Sequence, residues 1–152
     1  MTVELREAGR ADLAPVLALW RTSDAAESAT DDEASLERLL AHPTSDLLLS
    51  VAGGAVVGTL IVAWDGWRGG LYRLVVAPGS RRAGIASALV AEGERRLREA
   101  GCRRVSILVL RGHDHAAGFW TTAGYDLDER LDRYVKTLGA SAADLGAADI
   151  AR

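Results

Sequence analysis

The chain has 152 residues, one cysteine and a formal net charge of −3; that suits a single globular domain, excludes an intramolecular disulfide and argues against nucleic acid as a partner. Hydrophobic residues make up 49% and charged residues 26%, which excludes a disordered chain. No apolar run reaches transmembrane length and the first residues carry no signal-like stretch, so a cytoplasmic protein without a membrane partner is expected.

Residues 3–7 alternate apolar and charged side chains and read as a short strand. Leu13, Val16, Leu17 and Trp20 then recur at helical spacing, with Pro15 in the first turn, where its missing donor costs little. Residues 22–30 are small and polar and read as a loop. Asp31, Asp32 and Glu33 suit a helix start, Leu36, Leu39 and Leu40 give that helix an apolar face, and Pro43 ends it. Strands at 46–51 and 55–63 are joined by Gly53-Gly54, a strong hairpin signal. Gly58 inside the second strand suggests a bulge or a close backbone neighbour. A turn at 64–70 leads into an apolar strand at 71–77.

A basic, glycine-bearing turn follows, and then a long amphipathic helix from Gly84 to Ala100 with Gly101 as its cap. Cys102 opens a strand at 103–110 as a small core residue; the strand is nearly all apolar from Val105 and should be buried on both faces. Strand, helix, strand is a parallel right-handed crossover. A helix at 113–123 ends at Gly124. Residues 125–126 and 133–138 read as a last pair of strands, making seven in all with about four helices. Residues 139–152 form an alanine- and glycine-rich tail, so the domain is expected to span 1–138.

The turn Arg81-Arg82-Ala83-Gly84-Ile85-Ala86-Ser87 carries the strongest chemical signal. Backbone N–H groups at a helix N-terminus lack helical partners and attract anions, small residues let a ligand approach, and the two arginines add charge. A phosphate cradle is the expectation, fed by a local run of arginines in an acidic protein. No spacing of Cys and His suits a metal.

The pattern Arg81-x-x-Gly84-x-Ala86 resembles the coenzyme A pyrophosphate loop of the GNAT superfamily of N-acetyltransferases. The segment from Ala116 through Phe119 and Trp120 to Gly124-Tyr125 resembles a second motif of that family, and Asp65-Gly66-Trp67-Arg68-Gly69 a turn of small bacterial members. The order of elements agrees. The resemblance implies an α/β fold with a mostly antiparallel seven-stranded sheet and one parallel, splayed strand pair. It implies acetyl-CoA as co-substrate and direct acetyl transfer to an amine of a small molecule or peptide. The pantetheine would lie along Leu74, Val75, Val76 and Ala77, with the Val76 N–H on the acetyl carbonyl. The pyrophosphate would lie on Arg81 to Ser87, including Arg82, Ala83 and Ile85, and Ala116, Phe119 and Trp120 would flank the arm.

Many members have an acidic tyrosine where this chain has Trp120. Tyr125 is a candidate acid in its place and Asp65 a candidate base. Asp24 and Glu27, in the loop that walls the acceptor side in the family, and Trp64 and Trp67 are candidate substrate contacts. A non-catalytic acyl-CoA-binding or sensing module is the alternative reading, and a homodimer is a possible assembly.

Overall fold

The computed structural model describes residues 2–139. The chain divides into two units, Met1–Ile107 and Leu108–Arg152. The expected tail lies, past Gly139, outside the described residues.

The first unit holds a sheet of five strands in sequence order: β1 (Val3–Glu7), β2 (Ser45–Ala52), β3 (Ala55–Trp64), β4 (Gly69–Val76) and β5 (Val105–Ile107). Neighbours are antiparallel except β4 and β5, which are parallel. Helices α1 (Leu13–Arg21) and α2 (Glu33–Ala41) lie between β1 and β2 in sequence, and α3 (Ile85–Ala100) crosses from β4 to β5.

Local signals act where expected. Pro15 sits in the first turn of α1. The Asp32 carboxylate accepts the Ser35 N–H at 2.7 Å and caps α2. Gly53 and Gly54, at φ +57° and +78°, close the β2–β3 hairpin with the two left-handed residues that such a turn demands.

The sheet is buried on both faces. Leu13, Val16, Leu17, Trp20 and Leu36 of α1 and α2 pack with Leu47, Leu49 and Val75 on one face. Ile85, Leu89 and Leu97 of α3 cover the other, all nearly inaccessible. Two glycines let α3 settle close. A Cβ at Gly58 would meet Ile85 Cγ2 at 2.8 Å, and one at Gly93 would meet Leu60 and Val62 at 3.1 Å. Gly58 marks a close neighbour and also a bulge: Ser50 pairs with Gly58 and Val51 with Val56, so the extra residue, Val57, lies in β3 beside it.

Three expectations are corrected. The described residues form five strands, not seven. Residues 133–138 have β-forming side chains, but Tyr134, Val135 and Leu138 are exposed and no strand pairs with them; propensity without a ladder partner gives no strand. The strand expected at 103–110 is reduced to Val105–Ile107. It is not buried on both faces, because it is paired on one side only and its residues alternate between half-buried and exposed. Gly69 and Gly70, expected in a turn, belong to β4, where a Cβ on Gly69 would strike the Cys102 sulfur at 2.7 Å. Cys102 itself is half-buried and lies before β5.

The second unit contains α4 (Asp114–Thr122) and irregular chain to residue 139. Ala123 closes the helix, and Gly124 follows at φ +96°.

Candidate functional site

The basic turn between β4 and α3 has the backbone of an anion site. Pro78–Ser80 forms one 3-10 turn, and then Arg82 and Gly84 both take positive φ, +66° and +76°. Helix α3 begins at Ile85 with Gly84 as N-cap and no side chain bonded to its end. Ala88 N–H donates to Gly84 O at 3.0 Å, so the N–H groups of Ile85, Ala86 and Ser87 come before the first helical bond. Buried Ile85 anchors this end, while Arg81, Arg82, Ala83 and Gly84 are exposed. Nothing stands within 4 Å of a Cβ built on Gly84, so the approach to these N–H groups is open. The left-handed Arg82 had no signal in the sequence.

The strand leading into this turn is only partly covered. Parallel pairing to β5 joins Gly69, Gly70 and Leu71 to Val105, Ser106 and Ile107 and goes no further. From Tyr72 to Val76 that edge of β4 pairs with no strand among the described residues. On the other edge, Ala77 N–H donates to Val57 O at 2.8 Å. Alternation along the strand turns the Val76 N–H to the open edge. An extended ligand can therefore add to β4 here as a strand would, using backbone groups of the 74–77 segment.

β4 also contains a bulge. Thr59 pairs with Val75 and Ile61 with Tyr72, so Arg73 and Leu74 both oppose Leu60. The extra residue reverses the side-chain alternation: Leu71 lies under α3, whereas Val75 joins the α1 face. Arg73 takes φ +53°, rare for a residue with a side chain. Its carbonyl accepts the Thr59 hydroxyl at 2.8 Å, and that same oxygen of Thr59 accepts the Trp20 indole N–H at 2.9 Å. Its guanidinium lies 5.0 Å from the Trp20 ring centroid and donates to both oxygens of Asp31 at 2.8 Å and to the Ala26 carbonyl. Sequence reasoning missed Arg73, Thr59 and Asp31 as a group. The usable signal was one charged residue inside the apolar run Leu71-Tyr72-Arg73-Leu74-Val75-Val76.

The loop at 22–32, held by Arg73, borders a cavity of about 240 Å3. Leu17, Trp20 and Arg21 line it from α1, and Ala25, Glu27, Ser28 and Asp31 from the loop. Glu27 is one of the residues lining this cavity. Asp24 turns elsewhere and pairs with Arg81 of the basic turn at 3.3 Å.

Asp65 and its tryptophans form a surface turn. The Asp65 Oδ1 accepts the Arg68 N–H at 2.7 Å and the Trp67 N–H at 2.8 Å. Those bonds, Arg68 first, hold the carboxyl below its ordinary range, which favours the ion and makes it a weak proton acceptor. Trp67 is 72% exposed, with the Arg68 guanidinium 4.2 Å from its ring centroid. Trp64 ends β3, half-buried, and its carbonyl accepts the Thr44 hydroxyl. None of the three lines the cavity beside α1.

In the second unit, Ala116, Phe119 and Trp120 lie on α4. The Trp120 ring meets Phe119 at 5.2 Å and Tyr125 at 5.0 Å, both edge to face, and Trp120 is buried. An indole N–H offers no proton to a leaving thiolate near neutral pH.

Comparison with known proteins gives the same fold. The family described as acetyltransferase (GNAT) family matches residues 14–125. An acetyltransferase of Yersinia enterocolitica is 31% identical over 129 residues, covering 85% of this chain and 92% of its own. The aminoglycoside N-acetyltransferase AAC(6')-Iy, solved in complex with CoA, superposes with a TM-score of 0.75 at 20% identity over 89% of this chain and 95% of its own. Glucosamine-6-phosphate N-acetyltransferase from Arabidopsis thaliana gives 0.73 at 15% identity over 91% of this chain and all of its own.

Proposed function

Because the chain belongs to the GNAT acetyltransferase family, we propose that it transfers the acetyl group of acetyl-CoA directly to the amine of a small molecule or peptide. The observation that carries this reading is the uncapped N-terminus of α3 behind left-handed Arg82 and Gly84, directly after a strand edge left open beyond Leu71. Diphosphate fits that turn chemically, since three backbone N–H groups precede the first helical bond at an open helix start and two exposed arginines stand next to it in sequence. The 74–77 segment gives pantetheine an edge to pair with, and the Val76 N–H faces the position where the acetyl carbonyl would lie. On this reading the catalytic domain comprises residues 1–138.

When bound, acetyl-CoA supplies an activated thioester. The protein then has to orient the amine, take its proton and exclude competing water. The depressed Asp65 carboxyl suits a turn-building role better than that of base. Tyr125 remains the residue to test as the acid. Transfer to an amine tolerates weak acid and base groups, because positioning supplies much of the rate.

The cavity beside α1 has Glu27 and Asp31 in its lining together with Arg21, and Glu27 is the group there that suits an amine acceptor. Aminoglycosides, substrates named for relatives of the same fold, therefore head the list of amines to try, with polyamines and lysine peptides. A co-substrate of this kind is consistent with a cytoplasmic place of work.

Titration calorimetry with CoA tests the cradle. Wild type should bind, and Gly84→Val should not, since valine cannot hold φ +76° and its side chain would stand in the open approach, with a circular dichroism spectrum like that of wild type showing that the variant folds. Equal affinity in the variant overturns the assignment. Thiol release from acetyl-CoA across the amine panel separates an enzyme from an acyl-CoA sensor: binding without release by any amine favours the sensor.

A further inference from the structure

Two arginines tie the 22–32 loop to the strand and turn assigned to the co-substrate, and the two ties differ in kind. Arg81 reaches Asp24 at 3.3 Å in an exposed pair. Arg73 reaches Asp31 with two bonds of 2.8 Å, its side chain 17% exposed and that of Asp31 21% exposed, and reaches the Ala26 carbonyl as well. A single exposed pair contributes little, whereas a half-buried forked contact with two partners holds geometry.

Arg73 gets there through the bulge. Strict alternation from Leu71 would point residue 73 into the face under α3; the extra residue and the left-handed backbone send it to the α1 side instead. Its carbonyl is fixed by Thr59, which is fully buried, and its guanidinium rests over Trp20, which lines the cavity. Asp31 lines the same cavity, and Glu27 and Ser28 lie on the short stretch between the two points that Arg73 grips, Ala26 and Asp31. Within that stretch the loop is braced by the Ser28 N–H on Asp31 Oδ2 at 3.1 Å and the Asp31 N–H on Ser28 O at 3.1 Å.

We infer that Arg73 is a positioning residue for the acceptor: it clamps the 26–31 stretch, and so Glu27, at a set distance from the strand that carries the acetyl group. The inference rests on the acetyl-transfer reading above for its consequence, but the clamp itself can be read separately. The clamp works through two residues distant in sequence and touches neither reacting group. Loosening it widens the range of positions open to a bound amine, without altering the phosphate turn.

The test uses Asp31→Asn, which keeps the volume and leaves the bulge in place, with Asp31→Glu as the conservative partner. A Glu-specific protease reports on the loop by cleavage after the exposed Glu27. Cleavage of the Glu27–Ser28 bond, read by mass spectrometry because Asp31→Glu adds a second site at residue 31, should be about tenfold faster in Asp31→Asn and near wild type in Asp31→Glu, with the CoA dissociation constant from calorimetry unchanged. With acetyl-CoA and kanamycin A or spermidine, the apparent KM for the amine should rise severalfold in Asp31→Asn while kcat holds. Unchanged cleavage overturns the inference, as does a fall in kcat with KM unchanged. Where neither amine is turned over, cleavage alone decides. Failure of wild type to bind CoA removes the reading of the site and leaves the cleavage result standing.

Discussion

Thr59→Val is the substitution that most directly tests the polar core under the bulge. Thr59 is fully buried, donates to the Arg73 carbonyl at 2.8 Å and accepts from the Trp20 indole at 2.9 Å. Valine keeps the shape and removes both bonds. The indole N–H, on a residue only 4% exposed, is left without a partner, which costs about 1–3 kcal/mol. The carbonyl retains a second lone pair and loses about 1 kcal/mol. The expected loss is therefore about 3 kcal/mol, a large part of the stability of an ordinary domain. With a urea slope of about 2 kcal/mol per M, the midpoint should fall by about 1.5 M. Thr59→Ser keeps both bonds and removes one methyl, for about 1 kcal/mol. Urea titration followed by circular dichroism reads both variants on one scale. If valine costs no more than serine, the hydrogen-bond chain does not hold this region and the reasoning fails.

Other consequences can be checked beside it. The Arg95 and Arg96 guanidiniums hold the Glu92 carboxyl down to about 2, Arg95 contributing first. A carboxyl depressed in the folded state stabilises fully above its unfolded value of about 4.3 and loses that stabilisation as pH falls toward about 2. The urea midpoint should therefore drop between pH 5 and pH 2, less steeply in Glu92→Gln; identical slopes refute the link. Asp65→Asn retains an oxygen for the two turn N–H groups, so kcat with any amine found should stay within about threefold of wild type, whereas loss of a general base would cost about a hundredfold or more. Gly58→Val forces a side chain against Ile85 and Leu89 and should lower stability by about 2 kcal/mol; thermal melting at the wild-type temperature would contradict the close packing of α3.

Much of this architecture was legible because its signals are local. Gly53-Gly54, the Asp32 cap, Gly101 and the amphipathic run of α3 each act within a few residues, and the structure forms them there. The turn from Arg81 to Ser87 was legible for the same reason: glycine, arginine and a helix start are adjacent in sequence. What stayed hidden depends on distant partners. Arg73 and Asp31 are separated by 42 residues, and neither carries a spacing that names the other. Asp31 looked like part of a helix start, while Asp32 alone caps the helix. The length of β5 depends on where its pairing to β4 stops, which the apolar run from Val105 to Leu110 does not encode. Leu108 and Leu110, though apolar, are more than half exposed. The pairing of Asp24 with Arg81 shows the same limit, since the two are far apart in sequence and neither spacing names the other.

The short parallel pairing has a bearing on the protein outside catalysis. A strand edge from Tyr72 to Val76 with no neighbour strand among the described residues is a template that another chain can pair with, and proteins usually blunt such edges. Here the blunting agent would be the co-substrate itself. Protein stripped of acyl-CoA should then aggregate sooner on concentration or heating than protein kept saturated with it. Occupancy would add to thermal stability by mass action as well, by about 2.7 kcal/mol at a hundredfold excess over the dissociation constant.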